Sequence, residues 1–82
     1  MNRDYILFHL REAREELDGT IRELEAQPDY DVGEFLVAIG HLYHHINTAW
    51  NARDASAERA AACTQEDFAR WRQFPDDLDL SE

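Results

Sequence analysis

One stretch, Phe35-Leu-Val-Ala-Ile-Gly-His-Leu-Tyr-His-His-Ile-Asn-Thr-Ala-Trp-Asn-Ala52, sets the architecture of this chain. It contains no Asp, Glu, Lys or Arg, although 32% of the residues in the whole chain are charged. Its apolar residues recur at the three- and four-residue spacing of an amphipathic helix. They cover so much of the helix circumference that one neighbouring helix would not bury them all.

The residues before this stretch predict a first helix over about 3–27. Leu10, Leu17 and Leu24 recur every seven positions, which is typical of the apolar seam of a helical bundle. Pro28 ends the helix, and the short connection that follows makes the two helices antiparallel neighbours. We therefore expect the leucine stripe to face the second helix.

The residues after the stretch predict a second helix over about 32–62. Its last part is rich in alanine and contains no large apolar residue, so the alternative is a break with a restart capped by Ser56. Thr64, followed by an acidic residue three positions later, is a helix start signal and predicts a short third helix over 65–73. Residues 76–82 form an acidic tail that we expect to be frayed.

These elements predict a single all-α domain over residues 1–75, a long antiparallel helical hairpin with a short C-terminal helix. Such a hairpin cannot enclose the broad apolar surface of its second helix. Left exposed, that surface would exceed the apolar patches that monomers tolerate. We therefore expect a homodimer in which two hairpins form a four-helix bundle.

Composition excludes several classes of partner. The formal net charge is −10 and basic residues are not clustered, which argues against nucleic acid and anionic membranes as partners. The stretch 35–52 is long enough to span a bilayer, but its histidines and asparagines make it too polar. The only cysteine, Cys63, rules out an internal disulfide framework and fits the reducing cytoplasm.

His41 and His45 are the candidate metal ligands. Two histidines four residues apart on a helix can bind one divalent transition metal such as Zn²⁺. Leu42 occupies the position where a zinc protease would have its glutamate. By helical angle His41, His44 and His45 do not converge, so further ligands would have to come from the first helix or a second subunit. Otherwise these histidines lie on a flank or a dimer seam and bond to Arg, Glu or backbone groups.

A second cluster combines aromatic, amide and basic side chains along two turns of the second helix. Asparagine is a mediocre helix former, so its repeated use beside tryptophan requires a reason. One reason is a pocket that binds a small polar ligand; the other is a subunit interface, where such residues are enriched. The cluster comprises Tyr43, His44, Asn47, Trp50, Asn51 and Arg53.

No complete catalytic set is present in the sequence. Cys63 lies among alanines, with no neighbouring histidine to activate it. We therefore expect a cytoplasmic homodimeric interaction or accessory module without a cofactor, for which another protein is a second possible partner. The alternative hypothesis is a bundle that binds a small ligand or a divalent metal through the cluster on the second helix, and that could then act as an enzyme.

Overall fold

The computed structural model describes residues 1–81, and this part of the chain contains helices and no strand. The all-α class and the long helical hairpin are thus confirmed. The helices are α1 (Arg3–Ala26), α2 (Val32–Asn51), α3 (Ala57–Ala62) and α4 (Gln65–Trp71).

Each helix begins at a polar side chain that caps its first turn. In every case the cap accepts a hydrogen bond from the backbone N–H three residues further on, which satisfies a donor that the helix itself cannot. Because this contact is local, the predicted starts of the second helix and of the last helix agree with the structure. The caps are Asn2, Asp31, Ser56 and Thr64.

The prediction of one continuous helix over 32–62 is wrong, because α2 ends at Asn51 and the chain restarts at the Ser56 cap. The intervening turn is tied to the start of α1. The backbone N–H of Asn2 donates to the Arg53 carbonyl at 2.6 Å, and its side-chain amide donates to the Ala55 carbonyl at 3.0 Å. These bonds use carbonyl groups that a continuous helix would need for its own ladder.

The contact between α1 and α2 is formed by small and polar side chains, with His9 and Ala13 buried on α1. The leucine stripe was expected here, but Leu10, Leu17 and Leu24 are between 45% and 52% exposed. Small residues allow two helix backbones to approach closely. The face that contains them therefore forms the hairpin, and the leucine stripe lies to one side.

The hairpin consequently has two different faces. Helix α4 packs on one face, where Asn47 and Asn51 of α2 contact the end of α4. At 100° per residue, the apolar stripe of α1 lies about 80° round from the hairpin contact and that of α2 about 110° round from it. Both stripes point to the face opposite α4. We call this opposite surface the bare face: Leu7, Leu10, Leu17, Ile21 and Leu24 of α1 with Val32, Phe35, Leu36, Tyr43 and Ile46 of α2.

The interior of residues 1–81 is small. Its buried apolar side chains are Ala13, Ala49, Ala52 and Trp71, and no large side chain is fully enclosed. The radius of gyration is 14.4 Å, whereas a compact domain of this length has about 12 Å. The chain is thus more extended than a self-contained domain. None of the helices in residues 1–81 has both the length and the apolarity needed to cross a bilayer.

Candidate functional site

Three histidines meet between α1 and α2, and we call His9, His44 and His45 the histidine cluster. His9 is 6% exposed. Its Nδ1 atom lies 3.0 Å from Nδ1 of His45. The ring centroids are 5.3 Å apart for His9 and His45, 4.8 Å for His44 and His45, and 6.1 Å for His9 and His44. The fold therefore brings together residues that are 36 positions apart in the chain.

Aromatic side chains surround the histidine cluster. Tyr5 and Phe8 of α1 each contact the His9 ring edge-on, with centroids 4.7 and 5.1 Å away. Phe68 of α4 lies 5.1 Å from the His44 ring. Helix α4 thus closes one side of the cluster, and the imidazoles lie in a largely apolar environment.

This environment keeps the imidazoles of His9 and His44 neutral. Burial lowers the pKa of His9 to about 4, and the neighbouring His45 and His44 add to the effect. Burial also lowers the pKa of His44, with smaller contributions from His45 and Arg72. At neutral pH His9 and His44 therefore carry free nitrogen lone pairs.

Burial also raises the pKa of Tyr5 to about 12, with the Cys63 thiol adding to the rise. Tyr5 therefore stays protonated and uncharged beside the cluster at any physiological pH.

Three buried polar atoms in or beside the histidine cluster lack a hydrogen-bond partner within residues 1–81. They are Nε2 of His9, Nδ1 of His44 and Oγ1 of Thr48. Thr48 is buried and lies one helical turn after His44 on α2. A buried polar group without a partner lowers the free energy of unfolding by about 1–3 kcal/mol. Three such atoms close together make the histidine cluster a candidate binding site.

The two predicted metal ligands, His41 and His45, contact different residues of α1. His41 is exposed and its Nδ1 lies 3.7 Å from a Glu16 carboxylate oxygen, whereas His45 contacts His9. Each therefore has its own partner on α1. Within residues 1–81, no group of three or more His, Cys, Asp or Glu side chains is arranged to hold a metal ion as it stands.

The two predicted asparagines, Asn47 and Asn51, hold the end of α4. The side-chain amide of Asn47 donates to the Arg72 carbonyl at 2.9 Å. That of Asn51 donates to the carbonyls of Trp71 and Gln73, both at 2.8 Å. These bonds satisfy the carbonyl of Trp71, the last residue of α4, and those of the two residues that follow it, so the asparagines fix the end of α4 against α2.

Trp50 and Arg53 extend this contact towards the tail. The Trp50 indole N–H donates to the Asp77 carboxylate at 3.0 Å, and the Arg53 guanidinium stacks on the Trp50 ring at 3.9 Å. The sixth residue of the predicted cluster, Tyr43, lies instead on the bare face. The six residues predicted as one site are thus divided between the histidine cluster, the contact with α4 and the residues after it, and the bare face. Their use for a ligand stays a prediction.

A polar cleft of about 650 Å³ lies between the turn after α2 and the residues from the end of α4 to Asp77. Arg53, Arg59 and Arg70 line it. Arg53 is 3.7 Å from the Asp77 carboxylate, and Arg59 and Arg70 both bond to Asp67. Since carboxylates already compensate these guanidinium groups, the cleft has no surplus of positive charge with which to bind an anion.

The sequence interpretation missed His9, which is the most buried member of the histidine cluster. It stands alone between Phe8 and Leu10, without the spacing that makes His41 and His45 conspicuous. Its only signal was its position on the same helix face as Ala13, one turn later. That signal becomes useful only once the face of α1 that meets α2 is known.

Comparison with known proteins gave no family: no family model matches the chain, and no curated protein or solved structure gave a significant match.

Proposed function

We propose that this protein is a homodimeric helical interaction module in which the bare face of one chain packs against the bare face of a second copy. The observation that carries this proposal is the arrangement of the hairpin. Its two apolar stripes lie on one side, while α4 packs against α2 on the other. Pairing two such layers gives a four-helix bundle with α1 and α2 from each chain.

The exposed area supports a partner of this size. The chain exposes 6194 Å², whereas a compact monomer of 9.6 kDa exposes about 5,100 Å². The excess of about 1,100 Å² is comparable to the roughly 800 Å² that each partner buries in a stable protein interface. A second copy would therefore bury about as much surface as the chain exposes in excess.

The charge distribution favours self-association through this face. Each chain has a net charge of −10, so the repulsion between two copies is smallest when they meet on an uncharged surface. The α2 half of the bare face contains no charged residue. On α1, Arg14 interrupts the leucine stripe; its aliphatic stem can lie on apolar surface while its guanidinium reaches the rim.

We assign the module an accessory role rather than a catalytic one. The side-chain amides of Asn47 and Asn51 on α2 are engaged in holding α4, and the bare face consists of mainly apolar side chains. The single Cys63 supports the cytoplasm as its compartment.

Light scattering coupled to size-exclusion chromatography tests the proposal on the full chain without a tag. We expect twice the chain mass of 9.6 kDa at micromolar concentration, with dissociation on dilution. A monodisperse monomer at micromolar concentration would overturn the proposal. A defined larger species would retain self-association but contradict the four-helix bundle.

The alternative function, binding of a small ligand or a divalent metal, draws its support from the histidine cluster. The 3.0 Å contact between His9 and His45 and the unsatisfied atoms beside it are the observations that favour it. They concern a different part of the molecule from the bare face, so both properties can coexist.

A further inference from the structure

The spacing of His9 and His45 is close to that of two ligands on one metal ion, and the His44 ring lies beside them. A Zn²⁺ ion holds imidazole nitrogens at about 2.0–2.1 Å, which places two ligating nitrogens about 3.0–3.4 Å apart and their ring centroids about 5 Å apart. Here the Nδ1 atoms of His9 and His45 are 3.0 Å apart. Two of the three centroid distances are 5.3 and 4.8 Å, and the third is 6.1 Å.

We propose that His9, His44 and His45 bind one divalent transition-metal ion of the Zn²⁺, Ni²⁺ or Cu²⁺ class, at a site between α1 and α2. This assignment replaces His41 by His9 and joins the two helices of the hairpin through the ion. Imidazole suits all three metals, and three protein ligands leave one position for water.

The unsatisfied atoms give an independent reason for a bound species. Nδ1 of His44 is buried without a partner, and a metal ion would accept its lone pair. Thr48 Oγ1, also without a partner and one turn further along α2, is a candidate donor or acceptor for a water on the ion. Binding would thus relieve part of the cost of burying these groups.

One side chain must move for the site to form. His9 and His45 already converge, but no third donor in residues 1–81 joins them as the structure stands. The His44 ring is close enough for its nitrogen to reach the ion after rotation about its side-chain bonds. Phe68 lies against this ring, so the ion should also tighten the packing of α4.

Isothermal titration of Zn²⁺ and Ni²⁺ into the tag-free chain at neutral pH tests the proposal. We expect one ion per chain, with affinity reduced at least roughly tenfold in each of His9→Gln, His44→Gln and His45→Gln, since even outer-shell partners are worth that much. His41→Gln is the matched control, because His41 lies on the same helix but is exposed. Cys63→Ser should also bind normally.

Three results would overturn the proposal. One is the absence of stoichiometric binding by the native chain. Another is a loss in His41→Gln or Cys63→Ser equal to that in His9→Gln. The third is unchanged affinity in any one of the three cluster variants, each shown by circular dichroism to be folded.

A second measurement covers the case in which a cluster variant does not fold. In the native chain, Zn²⁺ should shift the imidazole ¹⁵N resonances of three histidines and leave that of His41 unchanged, His41 being identified with the His41→Gln variant. A shift of His41, or of no histidine, would contradict the site. Light scattering with and without Zn²⁺ separates this test from that of the dimer, because the ion binds away from the bare face.

Discussion

The Nδ1 atoms of His9 and His45 lie 3.0 Å apart across the α1–α2 contact. One of them can donate a hydrogen bond only if the other offers its lone pair, so the two cannot both be protonated on these atoms. Two imidazolium groups at this distance would also repel each other in an apolar environment. The packing of the hairpin therefore depends on the protonation state of this pair.

We predict that the folded chain loses stability as the pH falls from about 6.5 towards 4. The unfolded chain takes up the His9 proton near its ordinary pKa of about 6.5, but burial lowers the pKa of folded His9 to about 4. Unfolding therefore binds a proton in this window, so stability is full above it and decreases through it. The loss from His9 is at most about 3–4 kcal/mol, and His44 acts in the same direction.

Urea unfolding followed by circular dichroism at several pH values measures this loss. His41→Gln should keep the pH dependence, while His9→Gln should reduce it. The Arg59 guanidinium lowers the pKa of the Asp67 carboxyl, so the contribution of Asp67 disappears only at lower pH. Stability that stays constant between pH 6.5 and 4.5 would contradict the prediction.

Leu17→Glu should dissociate the proposed dimer, because it would place two carboxylates in an apolar bundle interior. Val37→Glu is the matched control. It introduces the same charge at an exposed valine of α2 that is not part of the bare face. Sedimentation velocity measures both: a lower sedimentation coefficient is expected for Leu17→Glu alone. If both variants sediment like the native chain, the bare face is not the contact between subunits.

Asn51→Ala should loosen α4 while leaving the hairpin in place. The substitution removes the amide that donates to the Trp71 and Gln73 carbonyls at 2.8 Å, at a cost of about 1–3 kcal/mol. Faster amide hydrogen exchange over residues 65–73 and a red shift of tryptophan fluorescence would report it. Gln73→Ala serves as the control because Gln73 contributes only backbone atoms here. Equal exchange in the two variants would show that Asn51 does not hold α4.

Asp67→Asn should lower the thermal unfolding midpoint by separating α3 from α4. Asp67 is buried and accepts two hydrogen bonds from Arg59, at 3.0 and 2.8 Å, and one from Arg70 at 3.1 Å. An amide cannot accept this set and loses the charge that strengthens it. Glu66→Gln removes the same charge from the exposed neighbouring position. A midpoint that falls equally in both variants would attribute the effect to net charge.

The histidine cluster could be only partly predicted. His44 and His45 stood out in the sequence as possible ligands, but the helical angles of α2 alone showed no convergence. The missing member, His9, is on another helix. Finding it requires the rotation of α1 about its axis, for which the leucine repeat indicated the wrong face.

Interactions between residues close together in the sequence determined where the helices begin and end. Caps such as Asp31 and Thr64 act on backbone groups three residues away, and Pro28 restricts only its neighbour. Such effects can be read from adjacent residues, which is why the helical class, the hairpin and most helix starts agree with the sequence prediction.

The choice between faces was a matter of tertiary packing. Helix α1 has both a leucine stripe and a face with small and polar residues such as Ala13, and either could have met α2 by its spacing. The face with small and polar residues meets α2, which buries His9 against His45 and leaves Leu17 half exposed. That choice depends on contacts between residues far apart in the chain, so no local pattern contains it.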